Sequence, residues 1–188
     1  MTGTATPRLY TFAAGDAGPW RITGVRTVIG EGLAMAPRLD VVAGAAEAAG
    51  VWRLRGIASN ERYVTRPEKQ QLLALQPPLA RAEARSAALI PIRKSAAWWA
   101  LTQDERRDIL EEQSHHVALG MRALPAVARK LHHCRDLSET EPFDFLTWFE
   151  FAPRDAAVFD ELTAALRASP EWAYVEREVE VTLAFDPR

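Results

Sequence analysis

Hydrophobic and polar positions change period several times along this chain, and the changes mark its elements. Alternation at a spacing of two, the signature of a half-buried strand, predicts strands over residues 8–14 (RLYTFAA), 20–29 (WRITGVRTVI), 39–42 and 51–59 (VWRLRGIAS). Further strands are predicted over 86–92 (SAALIPI), 143–151 and 174–185. Gly24 inside the second strand predicts a bulge, and Pro91 predicts an edge strand. The small-residue run 43–50 (AGAAEAAG) reads as a connection. Helical spacing appears in PEKQQLLALQ, opened by Pro67 and stopped by Pro77 and Pro78. It appears again after Pro153, where Val158, Phe159, Leu162, Ala165 and Leu166 fall on one face.

The stretch 102–151 organises the rest. It holds all four histidines, His115, His116, His132 and His133, and the lone cysteine, Cys134. TQDERRDILEEQSHHVALGM reads as one amphipathic helix, with Thr102 and Glu105 spaced as a capping box and Gly120 near its end. ARKLHHCRDL and FDFLTWFEF read as two strands. In the second, Phe143, Phe145, Thr147, Phe149 and Phe151 share one face, while Asp144, Leu146, Trp148 and Glu150 share the other. The proline-opened helices at Pro67 and Pro153 each lie between strands. The chain thus reads as two α+β units of similar plan, divided as 1–93 and 94–188, and not as a doubly wound sheet.

Composition narrows the chemistry. The chain has 188 residues, 48% hydrophobic and 26% charged, which is ordinary for a globular protein. A formal net charge of -2 implies neither nucleic acid nor an anionic membrane as partner. One cysteine excludes an internal disulfide and any multi-thiolate zinc site. The first residues, MTGTATPRLYTF, lack a basic start followed by an apolar run, and no window approaches a membrane-spanning length. A cytoplasmic location is therefore expected. No GxGxxG, GxxxxGK[ST], HExxH or GxSxG is present, which removes the commonest nucleotide, zincin and hydrolase readings.

Several side chains remain as candidates. His116 shares its helix face with Ile109, Gln113, Leu119 and Gly120. An imidazole on such a face, with a small glycine one turn on, suits an axial ligand beneath a flat apolar cofactor. It equally suits a core histidine with a hydrogen-bonded neighbour. His115 points about 100° away on the helical wheel and reads as solvated or buttressing. Arg129, thirteen residues after His116, could face the helix across a pocket or lie on the surface beside Lys130. Glu171, in a turn, could accept a hydrogen bond from an imidazole or be an exposed turn residue. Lys94 with Trp98 and Trp99 offers a cation beside large apolar rings, or a core tryptophan pair with a solvated lysine. His132 and His133 alternate faces of a strand, cannot both enter one site, and read as structural. Cys134 reads as a buried thiol without a catalytic motif.

Taken together, WWALTQDERRDILEEQSHH, RKLHHCRDL, FDFLTWFEF and ASPEWAYVEREVEV resemble the chlorite dismutases, in particular their short, dimeric branch. SNERYVTRPEKQQLLALQ in the first half resembles it too. The likeness runs from about Val51 onward and is strongest over residues 94–181. The chain departs from the usual pattern at HHCRDL, where relatives more often carry a tyrosine and a glycine, and in a longer loop at 138–142.

The resemblance implies an α+β protein of two ferredoxin-like units forming a dimeric α+β barrel, with heme b in the second unit and a homodimer as the assembly. It implies His116 as axial ligand, Glu171 as its hydrogen-bond partner and Arg129 as the distal catalytic arginine beside a distal Gln76. Lys94, Trp98 and Trp99 would contact the heme, Asn60 and Tyr63 its propionates, and Thr147 and Phe149 the distal wall. The implied reaction is decomposition of chlorite to chloride and dioxygen. A related heme peroxidase, a coproheme decarboxylase and a cofactor-free ferredoxin-like binding protein stay open as alternatives. The decarboxylase branch generally lacks the distal arginine, so Arg129 argues against it.

Overall fold

The structure, a computed structural model, describes residues 8–46, 50–58 and 63–187. Among the described residues, eight antiparallel strands form a closed barrel in the order β1-β3-β2-β8-β5-β7-β6-β4. They are β1 (Leu9–Gly15), β2 (Trp20–Ile29), β3 (Arg38–Ala43), β4 (Trp52–Ala58), β5 (Ser86–Lys94), β6 (Ala128–His133), β7 (Phe145–Phe151) and β8 (Val175–Phe185). The order splits into β4-β1-β3-β2 and β8-β5-β7-β6, which is one ferredoxin-like order used twice. Closure comes from the long β2–β8 ladder and a short β4–β6 contact at Ile57↔His133 and Ala58↔His132. Full closure leaves no free sheet edge among the described residues.

Strand alternation does the sorting. Phe12, Trp20, Leu39, Leu89, Leu146 and Val181 fill the barrel interior, where Trp20 meets Trp148 edge-on at 5.3 Å. The opposite faces of β5 and β7 carry Ala88, Ile90, Phe149 and Phe151, which pack under helices. The ladder slips between Ile22 and Gly24, the bulge that the glycine foretold.

The helices are α1 (Arg66–Leu75), α2 (Ala96–Ala100), α3 (Gln103–Arg107), α4 (His116–Arg122) and α5 (Ala156–Arg167). α1 is opened by a Thr65–Glu68 capping box with Pro67 in its first turn. α5 follows a short 3-10 turn at Pro153–Asp155 and buries Phe159, Leu162 and Leu166. Among the described residues, no helix is long and apolar enough to cross a membrane.

Three expectations need correction. The stretch beginning at Thr102 is not one helix. α3 gives way to a π-helical turn, Asp108–Gln113, and the chain then breaks at His115, which is left-handed at φ 51°. Pro91 is not on an edge, because β5 pairs with β7 on one side and β8 on the other. The β8 ladder is paired at Leu89 and resumes at Ile92, so the proline sits where no β8 partner needs its missing N–H. Finally, a division at residue 93 cuts through β5, whose partners β7 and β8 both belong to the second set of four strands.

Candidate active site

The outer faces of β5, β6 and β7, the helices α1 and α4 and the turn at Pro170–Tyr174 enclose a cavity of about 320 Å³. That is within the usual range for a small-molecule or cofactor site. Each strand contributes alternate residues: Ile90, Ile92 and Lys94 from β5; Arg129, Leu131 and His133 from β6; Phe145, Thr147 and Phe149 from β7. The walls are mostly apolar, and charges are gathered at several places.

The first is around His116. Its Nδ1 lies 2.7 Å from Glu171 Oε2. The other carboxylate oxygen of Glu171 accepts from Lys94 Nζ, also at 2.7 Å. Lys94 and Glu171 are both buried, and the ammonium lies over the Trp98 ring, 4.5 Å from its centroid. Burial alone would raise the Glu171 carboxyl. The charges and hydrogen bonds of His116 and Lys94 outweigh it and hold the group at about 2. Burial pulls the Lys94 ammonium below its ordinary value, against the opposing pull of Glu171. A carboxylate accepting from Nδ1–H fixes the tautomer that leaves the Nε2 lone pair for a metal.

The broken helix is what aims this imidazole. Ser114 Oγ accepts the Glu171 amide at 2.9 Å, tying the end of the π turn to the residue that grips His116. Glu111 Oε1 accepts the Val117 amide at 2.9 Å, so α4 starts on a carboxylate cap. Burial pushes the Glu111 carboxyl up despite that bond.

The second charge is Arg129, which enters the cavity from β6. Gln76, the residue that ends α1, donates from Nε2 to the Arg129 carbonyl at 3.0 Å. The guanidinium lies against Gly120 of α4.

Most of the residues singled out in sequence converge. His116, Glu171, Lys94, Trp98, Arg129, Gln76, Tyr63, Thr147 and Phe149 all line the cavity. Asn60 lies outside the described residues. Trp99 does not reach the cavity. It stacks on Phe145 from behind, with centroids 6.0 Å apart, and donates to Asp144 Oδ2 at 3.2 Å. Adjacent helical residues point about 100° apart, so Trp98 and Trp99 cannot share one wall. His132 and His133 do part as alternation requires: His132 enters the barrel between Tyr10 and Phe12, whereas His133 lines the cavity. Leu131 and His133, spaced by two from Arg129, were available from the same alternation. Arg167 and Glu178, paired at 2.7 Å on the cavity's far side, had no sequence signal.

These residues suit a flat, apolar, metal-bearing ring. One imidazole is oriented by a carboxylate, the walls are apolar, and a fixed cation enters from β6. Among the described residues, no cluster of three or more His, Cys, Asp or Glu side chains could hold a bare ion.

No family model matches the sequence. A crystal structure of a dimeric chlorite dismutase from Nitrobacter winogradskyi is 55% identical, covers 94% of this chain and 99% of that one, and superposes with a TM-score of 0.87. The chain belongs to the chlorite dismutase family. The chlorite dismutase of Ideonella dechloratans is 38% identical over 90 residues, a match to 48% of this chain. That match spans only 29% of the Ideonella protein's length. A chlorite dismutase from Candidatus Nitrospira defluvii, solved with imidazole, shares the family's fold at 19% identity and a TM-score of 0.64, over 96% of this chain and 92% of that one.

Proposed function

We propose that the chain is a heme b oxidoreductase that decomposes chlorite to chloride and dioxygen, and that it works as a homodimer. The observation that carries this is the pairing of an oriented imidazole, His116 on Glu171, with an arginine entering the same apolar cavity. The 55% identity to a dimeric chlorite dismutase over nearly the whole chain supports the same reading.

His116 would hold the iron through Nε2, with its ring fixed by the bond from Nδ1 to Glu171. Lys94 balances the second carboxylate oxygen and keeps Glu171 anionic in a dry setting. Trp98, Ile92, Thr147 and Phe149 would flank the ring, and Tyr63 would meet its polar edge. When bound, heme supplies the iron redox chemistry that the reaction needs.

The reaction balances internally. ClO2⁻ gives Cl⁻ and O2, both oxygens leave together, and no proton or outside electron is consumed. The open side of the cavity therefore needs a fixed cation and not a general acid. Arg129 meets that need, because a guanidinium stays charged at any working pH and presents a planar fork to an oxyanion. Gln76 fixes the Arg129 backbone, so the cation's base does not drift.

The test is heme-loaded protein with an oxygen electrode. The expected result is a Soret band and oxygen evolution on adding chlorite, faster than any turnover of hydrogen peroxide. A normal Soret band with no oxygen evolution overturns the reading, and preferred peroxide turnover points to a peroxidase instead. Arg129→Ala is expected to keep the Soret band and lose about a hundredfold in rate, the usual cost of removing one charged donor. Unchanged turnover removes Arg129 from the mechanism.

A further inference from the structure

The turn that carries Glu171 is fastened at both of its ends to one residue. Arg167 is the last residue of α5, and Trp172 lies in the 3-10 turn that follows, Pro170–Tyr174. Glu178 Oε1 accepts from Arg167 Nε at 2.9 Å and from Nη2 at 2.7 Å. Its Oε2 accepts from the Trp172 indole at 2.8 Å. The segment 168–171 is thus closed between two groups that share a single carboxylate, and Glu171 is its last residue.

Glu178 is well placed to hold such a turn. It lies on β8, paired with Ile29 of β2 on one side and Ile92 of β5 on the other, and it is fully buried. A buried carboxylate needs donors, and the turn's two ends supply three. The end at Arg167 has a second anchor, since Nη2 also reaches Glu180 at 2.7 Å. The end at Trp172 has none of that kind, because an indole carries one N–H. Adjacent residues of a 3-10 turn point about a third of a turn apart. Glu171 therefore faces His116 and Lys94, at 2.7 Å each, while the Trp172 N–H faces back to the sheet. The Trp172 ring also passes 5.5 Å from the Lys94 ammonium.

We infer that Glu178 is a positioning residue for Glu171. Through Arg167 and Trp172 it pins the turn to β8, and so fixes the carboxylate that orients the His116 imidazole. The inference rests on the proposed function for what His116 holds, but not for what holds Glu171.

Two substitutions release the pin in different ways. Trp172→Phe keeps a ring and every charge but removes the indole N–H. Glu178→Gln keeps the shape and removes the charge. The first readout uses cofactor-free protein and follows hydrogen exchange of the Glu171 amide, which donates to Ser114 Oγ and reports local opening of the turn. Trp172→Phe is expected to speed this exchange about tenfold, since a hydrogen bond to a charged group is worth at least that in an opening equilibrium. The Val181 amide of β8 should exchange as in wild type. The second readout is the reduction potential of heme-loaded protein. A misaligned carboxylate leaves the imidazole less basic and disfavours ferric iron. Trp172→Phe is expected to weaken ferric relative to ferrous heme about tenfold, a rise of about 59 mV, and Glu178→Gln should shift it the same way. An unchanged Glu171 amide in Trp172→Phe overturns the inference. So does a faster amide with an unchanged potential, because the pin would then serve the fold alone. A shift in Glu178→Gln that Trp172→Phe does not share assigns the effect to the lost charge and overturns it too. Should Glu178→Gln fail to fold, Trp172→Phe decides by itself. Failure of the functional reading looks different: wild type would evolve no oxygen, while the Glu171 amide would still answer to Trp172.

Discussion

Strands β4-β1-β3-β2 and β8-β5-β7-β6 repeat one order, yet the two halves differ on their outer faces. The first half leaves Arg21, Thr23 and Arg53 exposed to solvent. The second is covered by helices, with Ile90 and Phe149 packed beneath Phe159 and Leu162 of α5. Every charged side chain buried among the described residues comes from position 94 or later. Among its described residues, the first half buries only Thr11 of its polar side chains. Among the described residues, the same sheet plan thus carries buried charge where helices roof it and none in the first half. Desolvated charge collects at functional sites because that is where its cost is tolerated. α1 crosses the divide: it follows the first four strands, and its Leu72 and Leu73 line the second half's cavity.

The largest effect should come from unpairing that buried charge. Glu171→Gln takes the contacting carboxylate from the buried Lys94 ammonium and leaves Asp144 and Glu178 to act on it only at longer range, and the expected loss is about 3–5 kcal/mol of unfolding free energy. Chemical denaturation of the cofactor-free protein measures it. Adding Lys94→Met to Glu171→Gln should restore a good part of the loss, since replacing both charges removes the stranded one. If Glu171→Gln is as stable as wild type, the pair is not desolvated and the contrast between the halves dissolves.

A second test compares the two faces of β6. His132, turned into the barrel, has its Nδ1 3.2 Å from the Leu146 carbonyl, and its Nε2 has no partner. Burial first, then the nearby Lys130 and His133, holds its pKa down to about 4 from 6.5. The sign follows from linkage. Above 6.5 the ring is neutral whether folded or unfolded, and pH has no effect through this group. Between 6.5 and about 4 the unfolded chain takes up a proton that the folded chain refuses, so stability falls with pH. A shift of that size is worth about 3 kcal/mol across the window. Unfolding at pH 7 and pH 4.5 should show this loss in wild type, and His132→Phe should flatten it. An equal loss in the variant assigns the acid sensitivity elsewhere.

The pattern of faces was legible in the chain. Alternation separated Phe145, Thr147 and Phe149 from Leu146 and Trp148, and the structure sends the first set to the cavity and the second to the barrel. The same rule parted His132 from His133. The break before His116 was not legible, because its causes are remote. Ser114 and His116 are both tied to a residue more than fifty positions downstream, and helical periodicity holds no trace of such partners. The division at residue 93 failed for a related reason: alternation reveals a strand but not its neighbours, and β5 owes its place to β7 and β8. The two adjacent tryptophans part on their helix, Trp98 lining the cavity and Trp99 stacking on Phe145, a difference that their adjacency in sequence does not reveal.

The smallest effect tests whether the break belongs to the site or merely to the fold. Glu111 caps α4 through the Val117 amide, at the point where an uninterrupted helix would have supplied its own carbonyl. Glu111→Ala should cost about 1 kcal/mol, the ordinary worth of a helix cap, a change visible in a denaturant midpoint. If the cap's purpose is to hold His116 in line with Glu171, the variant should also bind heme more weakly, by more than its fraction unfolded accounts for. Glu111→Gln keeps an oxygen acceptor for the amide and should recover most of both losses. A variant that loses the 1 kcal/mol but binds heme normally would mean that the break serves the packing of the roof. The aim of the imidazole would then rest on Glu171 and Ser114 alone.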